Sequence, residues 1–259
     1  MRVCNVFRSD NTNVGDWYCP PNRYFAFSNV VEADILTFEP SLLEGDVLVG
    51  GGGLLAQTFH PHMRRLVEQR SRMRSLIAWA IGQSENIDRG GGIVPRYTGK
   101  LPDYLDAFDI VGLRDFDTPF QWVPCSSCML QQFDRTYEVE HEICIYEHKR
   151  IPIALEGFPR MSNNGDDIDR VLQFLASAHV VVTNSYHGAY WATLLGRRVL
   201  CIPNMSKVYG LKHQPVFCRA EDWKQYVGLA QTYPNALAEC RAANVEFYRT
   251  IANHYAAAA

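Results

Sequence analysis

Short, dense runs of apolar residues recur along the chain. Between them stand stretches in which apolar residues return every three or four positions. The first pattern marks strands covered on both faces and the second marks helices packed along one side. Residues 1–7, 34–38, 46–49, 75–81 and 109–113 read as strands in the first half, and 142–146, 179–183 and 198–203 in the second. Helical spacing runs over 60–73, 101–108, 167–178, 188–195, 221–231 and 236–252. In 167–178, Ile168, Val171, Leu172 and Leu175 share one face. Gly196 is placed to end the helix before it. This alternation predicts an α/β fold with mainly parallel sheets. A crossover at 131–141 divides it into two Rossmann-like halves, 1–130 and 131–255, the second carrying the closing helices. The four alanines at 256–259 add nothing to the reading.

Polar residues and glycines gather just after the expected strands, at 13–16, 50–53, 82–84, 114–115, 184–188 and 204–207. In open parallel sheets ligands bind outside the carboxyl ends of the strands, so these loops would line one cleft, and two sheets would face each other across it. A glycine run after a strand lets backbone approach a phosphate or sugar, and a following helix would favour an anion. The same run also serves as a plain tight turn, since it fits neither GxGxxG nor the Lys-Ser/Thr of a P-loop. His187 sits between a strand and a helix, where it donates to an anion, acts as a general acid, or simply caps the helix or packs under Tyr186. Lys207 is either a phosphate ligand or a solvated lysine.

Composition narrows the classes further. Among 259 residues, Lys and Arg number 25 and Asp and Glu 28, a formal net charge of −3 that leaves no electrostatic footprint for nucleic acid. No run approaches the roughly 18 apolar residues of a membrane span, and residues 1–11 lack the apolar core of a secretory leader. A cytoplasmic protein with no integral membrane segment is expected. The eight cysteines are spread along the chain, and Cys4, Cys144 and Cys201 lie inside apolar runs, as expected of buried thiols in a reducing compartment. Cys125 and Cys128 have the spacing of half a zinc site or a thiol redox pair. No second CxxC or HxxxH accompanies them, and they follow five expected strands rather than opening a first helix. They are read as small residues in a turn near the cleft. His60 and His62 would face apart on a helix, so no metal is assigned. There is no GxSxG, and Ser185 stands too close to His187 for an ordinary triad.

Taken in order, Asn13-Val14-Gly15-Asp16, Val49-Gly50-Gly51-Gly52-Gly53-Leu54, Gly82-Gln83-Ser84, Gly112-Leu113-Arg114-Asp115, Asn184-Ser185-Tyr186-His187-Gly188 and Pro203-Asn204 through Lys207 resemble the motifs of the polysaccharide pyruvyl transferase family. The resemblance spans residues 13–207 and includes the stretch from Val123 to Cys128. It implies two Rossmann-like halves facing a cleft in a GT-B-like arrangement. It further implies transfer of the enolpyruvyl group of phosphoenolpyruvate onto a sugar hydroxyl pair of a glycan or its precursor. The product is a pyruvate ketal and phosphate is released; the resemblance implies no cofactor, with phosphoenolpyruvate as co-substrate of the sugar acceptor.

On this resemblance Arg114 is the anion clamp, His187 the general acid or phosphate donor, and Lys207 the second cation. Asn13 and Asp16 lie on the acceptor side, as base or sugar ligands. Gly51, Gly52, Gln83, Ser84, Asn184, Ser185 and Asn204 complete the substrate-binding set. The chain departs from the pattern at Ser185, where many members carry arginine, and it is shorter than most. A GT-B-type glycosyltransferase using a nucleotide sugar, and a non-catalytic sugar- or anion-binding relative, are the two alternatives.

Overall fold

Where valine, isoleucine and leucine crowd together the backbone is extended and covered on both sides, as parallel strands require. A computed structural model describes residues 2–85, 87–88 and 92–257. The first half runs β1 (Val3–Phe7), the single turn α1 (Val14–Trp17), β2 (Val30–Asp34), β3 (Gly45–Gly50), α2 (His60–Val67), β4 (Met73–Ile81), β5 (Ile110–Leu113) and β6 (Gln121–Trp122). The second half runs β7 (His141–Glu147), β8 (Arg160–Ser162), α3 (Ile168–Ala176), β9 (Ala178–Thr183), α4 (Tyr186–Leu194), β10 (Arg198–Cys201), β11 (Val216–Phe217) and α5 (Ala236–Ala257). The expected α/β fold is present, with two sheets ordered β2-β1-β3-β4-β5-β6 and β11-β10-β9-β7-β8. Every pairing in both is parallel.

Each sheet therefore starts in the middle, adds its second strand on one side and continues on the other. That order creates a switch point between β1 and β3 in the first sheet and between β7 and β9 in the second. Loops leaving a switch point diverge and open a crevice at the carboxyl ends of the strands.

Several elements differ from expectation for local reasons. The strand expected at 34–38 is a turn, and β2 ends at Asp34. The Asp34 carboxylate accepts from the backbone N–H of Leu36 at 2.7 Å, and its carbonyl accepts from Phe38. Ile35 and Phe38 are buried in that turn rather than in a strand. The helix expected over 60–73 ends at Val67, and a 3-10 turn at Arg70–Arg72 follows. There the Arg70 guanidinium grips both carboxylate oxygens of Asp109. Residues 101–108 and 221–231 hold only 3-10 turns. α2 starts seven residues after Gly53, so no helix N-terminus stands directly behind the glycine loop.

The ends of the two sheets meet. The Asn163 side chain donates to Asn13 Oδ1 at 3.1 Å, and the Lys149 ammonium donates to the Thr12 carbonyl at 2.7 Å. Farther along, the Asp88 N–H donates to the Asn204 carbonyl at 2.9 Å, and Phe116 N–H to Gly210 at 2.8 Å. One apolar core, built around the fully buried α4, draws residues from both halves. α5 then crosses back to the first sheet. Its Asn244 accepts from Trp79 Nε1 at 2.8 Å, and Phe247 packs edge-on to the same indole. No helix among the described residues is long and apolar enough to cross a membrane.

Candidate functional site

The site forms among loops that follow strands of the two sheets. From the first sheet comes the loop after β1, which closes into α1. Asn13 caps this turn, accepting from the Gly15 N–H at 3.2 Å, and its amide donates to the Asp16 carboxylate at 2.7 Å. Opposite stands the glycine loop after β3. Gly51 and Gly52 have φ of +84° and +85°, a region costly for any residue with a side chain. A Cβ on Gly51 would meet Cys19, and one on Gly52 would lie 3.8 Å from Asp16 Oδ1. A Cβ on Gly53 would lie 3.0 Å from Ser84 Cβ and 3.5 Å from Arg114 Nη2. Bare backbone therefore floors the space between Asp16, Ser84 and Arg114.

Arg114 follows β5 and is almost wholly buried, with 2 % of its surface exposed. Its guanidinium lies 4.2 Å over the Tyr186 ring and donates from Nη2 to the Gln83 carbonyl at 3.0 Å. Nε has no partner among the described residues. The neighbouring Asp115 carboxylate accepts from the Gln83 N–H at 2.6 Å. Both side chains turn over Gly82, where a Cβ would sit 2.5 Å from Arg114 Nε and from Asp115 Oδ2 alike.

From the second sheet, β9 ends in Asn184-Ser185-Tyr186-His187. Ser185 caps α4 by accepting from the Gly188 N–H at 3.3 Å. Asn184 accepts from the His148 N–H at 2.7 Å and donates to the Ile151 carbonyl at 2.8 Å. Both side chains are thus committed to shaping the loop. His187 is buried between Trp191 (ring centroids 4.8 Å apart) and the edge of Tyr186. Its Nε2 lies 3.5 Å from Cys125 Sγ, and its other ring edge packs on Gly15. Lys207 projects from a 3-10 turn, Ser206–Gly210, after β10.

Burial and mutual repulsion set the charge states. Burial pushes the His187 pKa well below the usual imidazole value, and the charges of Arg114 and Lys207 push it the same way. At neutral pH the ring is uncharged. Burial and Arg114 lower the Lys207 ammonium to about 8, against the pull of Asp16. Burial raises the Asp16 carboxyl, opposed by Lys207 and Arg114. His148, after β7, falls to about 4 through burial and the charges of Lys207, Arg150 and Lys149.

Asp16, Arg114, Lys207 and His187 are thereby brought into one electrostatic cluster, with Gly52, Gln83 and Ser84 around it. Gly51 instead packs on Cys19, and Asn184 and Ser185 hold the backbone. Asn204 is fully buried, with neither side-chain polar atom partnered among the described residues. Three participants escaped the reading of the sequence. His148 stands just after an expected strand and obeys the same strand-end rule as the others. Asp115 lies beside Arg114 in a cluster already singled out. Cys125 is fully buried against His187, a contact that no spacing announces. Among the described residues, no three His, Cys, Asp or Glu side chains are grouped as a metal site.

A cleft of about 650 Å³ opens beside the cluster, with Gln83, Tyr97, Asp115, Phe116, Ser206 and Tyr209 in its lining. Arg114 and Lys207 are not part of its lining. Two cations, a neutral histidine and a carboxyl of raised pKa in a water-poor site are equipped to bind a small oxyanion and move protons beside it. No family model matches the chain, and no curated protein matches it.

Proposed function

We propose that the protein is a pyruvyl transferase-like enzyme, moving the enolpyruvyl group of phosphoenolpyruvate onto a sugar of a glycan or glycan precursor. The observation that carries this reading is the convergence of Arg114 and Lys207 on the neutral His187, at the facing ends of two parallel sheets. In this reading the sheets form a GT-B-like cleft and the protein works in the cytoplasm. Arg114 and Lys207 take the phosphate and carboxylate. Their lost hydration is replaced by charge-assisted hydrogen bonds in a low-dielectric site.

Negative charge placed there reverses the electrostatics at His187. It favours the imidazolium, so His187 takes up a proton on binding and can deliver it to the methylene carbon. One sugar hydroxyl oxygen bonds to C2 as the C2=C3 electron pair accepts that proton and becomes the methyl group. Phosphate then leaves with the C2–O electron pair, and the second hydroxyl oxygen closes the ketal. Asp16 receives hydroxyl protons, which return to the histidine and to phosphate. The sugar occupies the adjoining 650 Å³ cleft.

Thermal melting with phosphoenolpyruvate, and separately with UDP- and GDP-sugars, tests the donor. Phosphoenolpyruvate raises the melting temperature of the wild type, and Arg114→Met and His187→Ala weaken the rise. Phosphate release is then followed with galactosides and mannosides as acceptors. A rise with nucleotide sugars alone sinks the proposal, as does phosphate release no faster in wild type than in His187→Ala.

A further inference from the structure

His187 carries the proton in the proposed reaction, and the partner of its Nε2 is a thiol. α4 presents His187, Tyr190 and Trp191 on one face, three and four residues apart. That face closes on the turn that begins at Cys125. Tyr190 Oη donates to the Cys125 carbonyl at 2.9 Å, and Trp191 Nε1 donates to Ser127 Oγ at 2.9 Å. From the first half, the Cys19 carbonyl accepts from Ser126 Oγ at 2.7 Å. The turn is thereby fixed between both halves. It sets Cys125 Sγ 3.2 Å from Ser127 Oγ and 3.5 Å from His187 Nε2.

Trp191, Ser127, Cys125 and His187 form a chain with one arrangement that leaves no buried hydrogen unpaired. An indole N–H only donates, so Ser127 Oγ accepts from Trp191. The Ser127 hydroxyl is fully buried, and its own hydrogen has one further partner among the described residues, Cys125 Sγ. Pointed elsewhere, that hydrogen would be a buried polar group without a partner, which folded proteins avoid. Burial keeps the Cys125 sulfur protonated, against the Ser127 hydrogen bonds. The thiol hydrogen is left for His187 Nε2, which must then offer a lone pair. The single proton of the neutral ring therefore sits on Nδ1. Nδ1, on the edge against Gly15, has no partner among the described residues.

We infer that Cys125 is the positioning residue of His187: its thiol donates to Nε2, locks the ring as the Nδ1–H tautomer and leaves that N–H for the bound substrate. The inference rests on the proposed phosphoenolpyruvate reaction and names what orients its acid. Sulfur also accepts, so the same contact receives Nε2–H when the ring takes up its second proton. A thiol thus serves both protonation states without a counter-charge. A carboxylate in its place would stabilise the imidazolium and blunt it as an acid.

Nitrogen-15 NMR of histidine-labelled full-length protein reads the ring, with His187 assigned from its loss in His187→Gln. The expected spectrum at pH 7 has Nδ1 protonated and Nε2 bare. Phosphate release from phosphoenolpyruvate gives the kinetic test. Cys125→Ala lowers kcat by up to about a hundredfold, the scale of a misplacement of ~1 Å. KM for phosphoenolpyruvate stays within about threefold, because Arg114 and Lys207 still bind it. Cys125→Ser, whose hydroxyl offers the same bond from a shorter side chain, recovers most of the loss. Cys128→Ala removes a thiol of the same turn that meets Asn244 instead, so it loses stability but keeps kcat. A His187 ring protonated on Nε2 overturns the inference, and this reading of the wild type decides even where Cys125→Ala does not fold. A Cys128→Ala enzyme as slow as Cys125→Ala also overturns it. If the spectrum is as expected but phosphoenolpyruvate yields no phosphate with any acceptor, the proposed reaction falls and the tautomer lock stands. If wild type and Cys125→Ala release phosphate equally fast, the positioning role falls and the reaction stands.

Discussion

Gly15→Ala probes the contact that fixes His187. A Cβ on Gly15 would lie 2.8 Å from both Cγ and Cε1 of the imidazole, and closer still to Nδ1. Carbon atoms settle at about 3.5–4.0 Å, so ring or turn must retreat by roughly 1 Å. The ring has little freedom to do so, with Trp191 at 4.8 Å and Tyr186 at 5.3 Å between centroids. Overpacking of this size costs about 1–3 kcal/mol. For a chain of this length that is a loss of roughly 2–12 °C in melting temperature. Alanine's better helix propensity in α1 offsets up to ~1 kcal/mol of it.

The functional loss is larger, because a misplacement of about 1 Å costs on the order of 100-fold in rate. Calorimetry and the rate of phosphate release from phosphoenolpyruvate measure the two effects, with Gly228→Ala as the control, since nothing lies within 4 Å of a Cβ there. A Gly15→Ala protein that melts like the wild type and releases phosphate as fast would refute the packing of His187 on α1.

Ser185→Ala removes the cap of α4 and lowers stability by about 1 kcal/mol, or roughly 2–4 °C, while phosphoenolpyruvate affinity stays within about twofold. An affinity loss greater than that would return Ser185 to the ligand-binding set. Lys207→Met removes a cation that repels the His148 proton, so the His148 pKa moves up from about 4 towards its ordinary value. The lowered pKa makes the unfolded chain bind more protons as pH falls from about 6.5 to 4, so wild-type stability drops across that window. The drop is shallower in Lys207→Met. An unchanged His148 titration by NMR would separate the two residues.

β3, β4 and β9 are legible because buried parallel strands are apolar on both faces, which shows as short dense apolar runs. β2 lies four residues ahead of the apolar run that marks a strand at 34–38. As the edge strand of its sheet it is half solvated and reads Val-Val-Glu-Ala-Asp, while the apolar Ile35 and Phe38 sit in the turn beyond. β6, β8 and β11 run to two or three residues each and carry no period at all. In the site, Arg114, His187 and Lys207 stood out as polar residues interrupting apolar runs at strand ends. Cys125 looked like part of a turn because its partner is a histidine 62 residues away. The commitment of Asn184 and Ser185 to backbone bonds was equally hidden, since a motif does not say whether its side chains face a ligand or their own loop.

The return of α5 to the first sheet ties the start of folding to its end. Trp79 and Val3 lie on one face of that sheet, and Phe25, Phe247 and Ile251 pack over it. Asn244 also donates to the Pro124 carbonyl at 3.0 Å, stitching the connection between the halves to the same helix. During synthesis the first half emerges complete in strands but with this aromatic face bare, a surface that invites chaperones or aggregation until α5 arrives. The mature chain should then unfold in a single cooperative step despite its two sheets, and clipping before Ala236 should leave an N-terminal piece that cannot stay folded by itself.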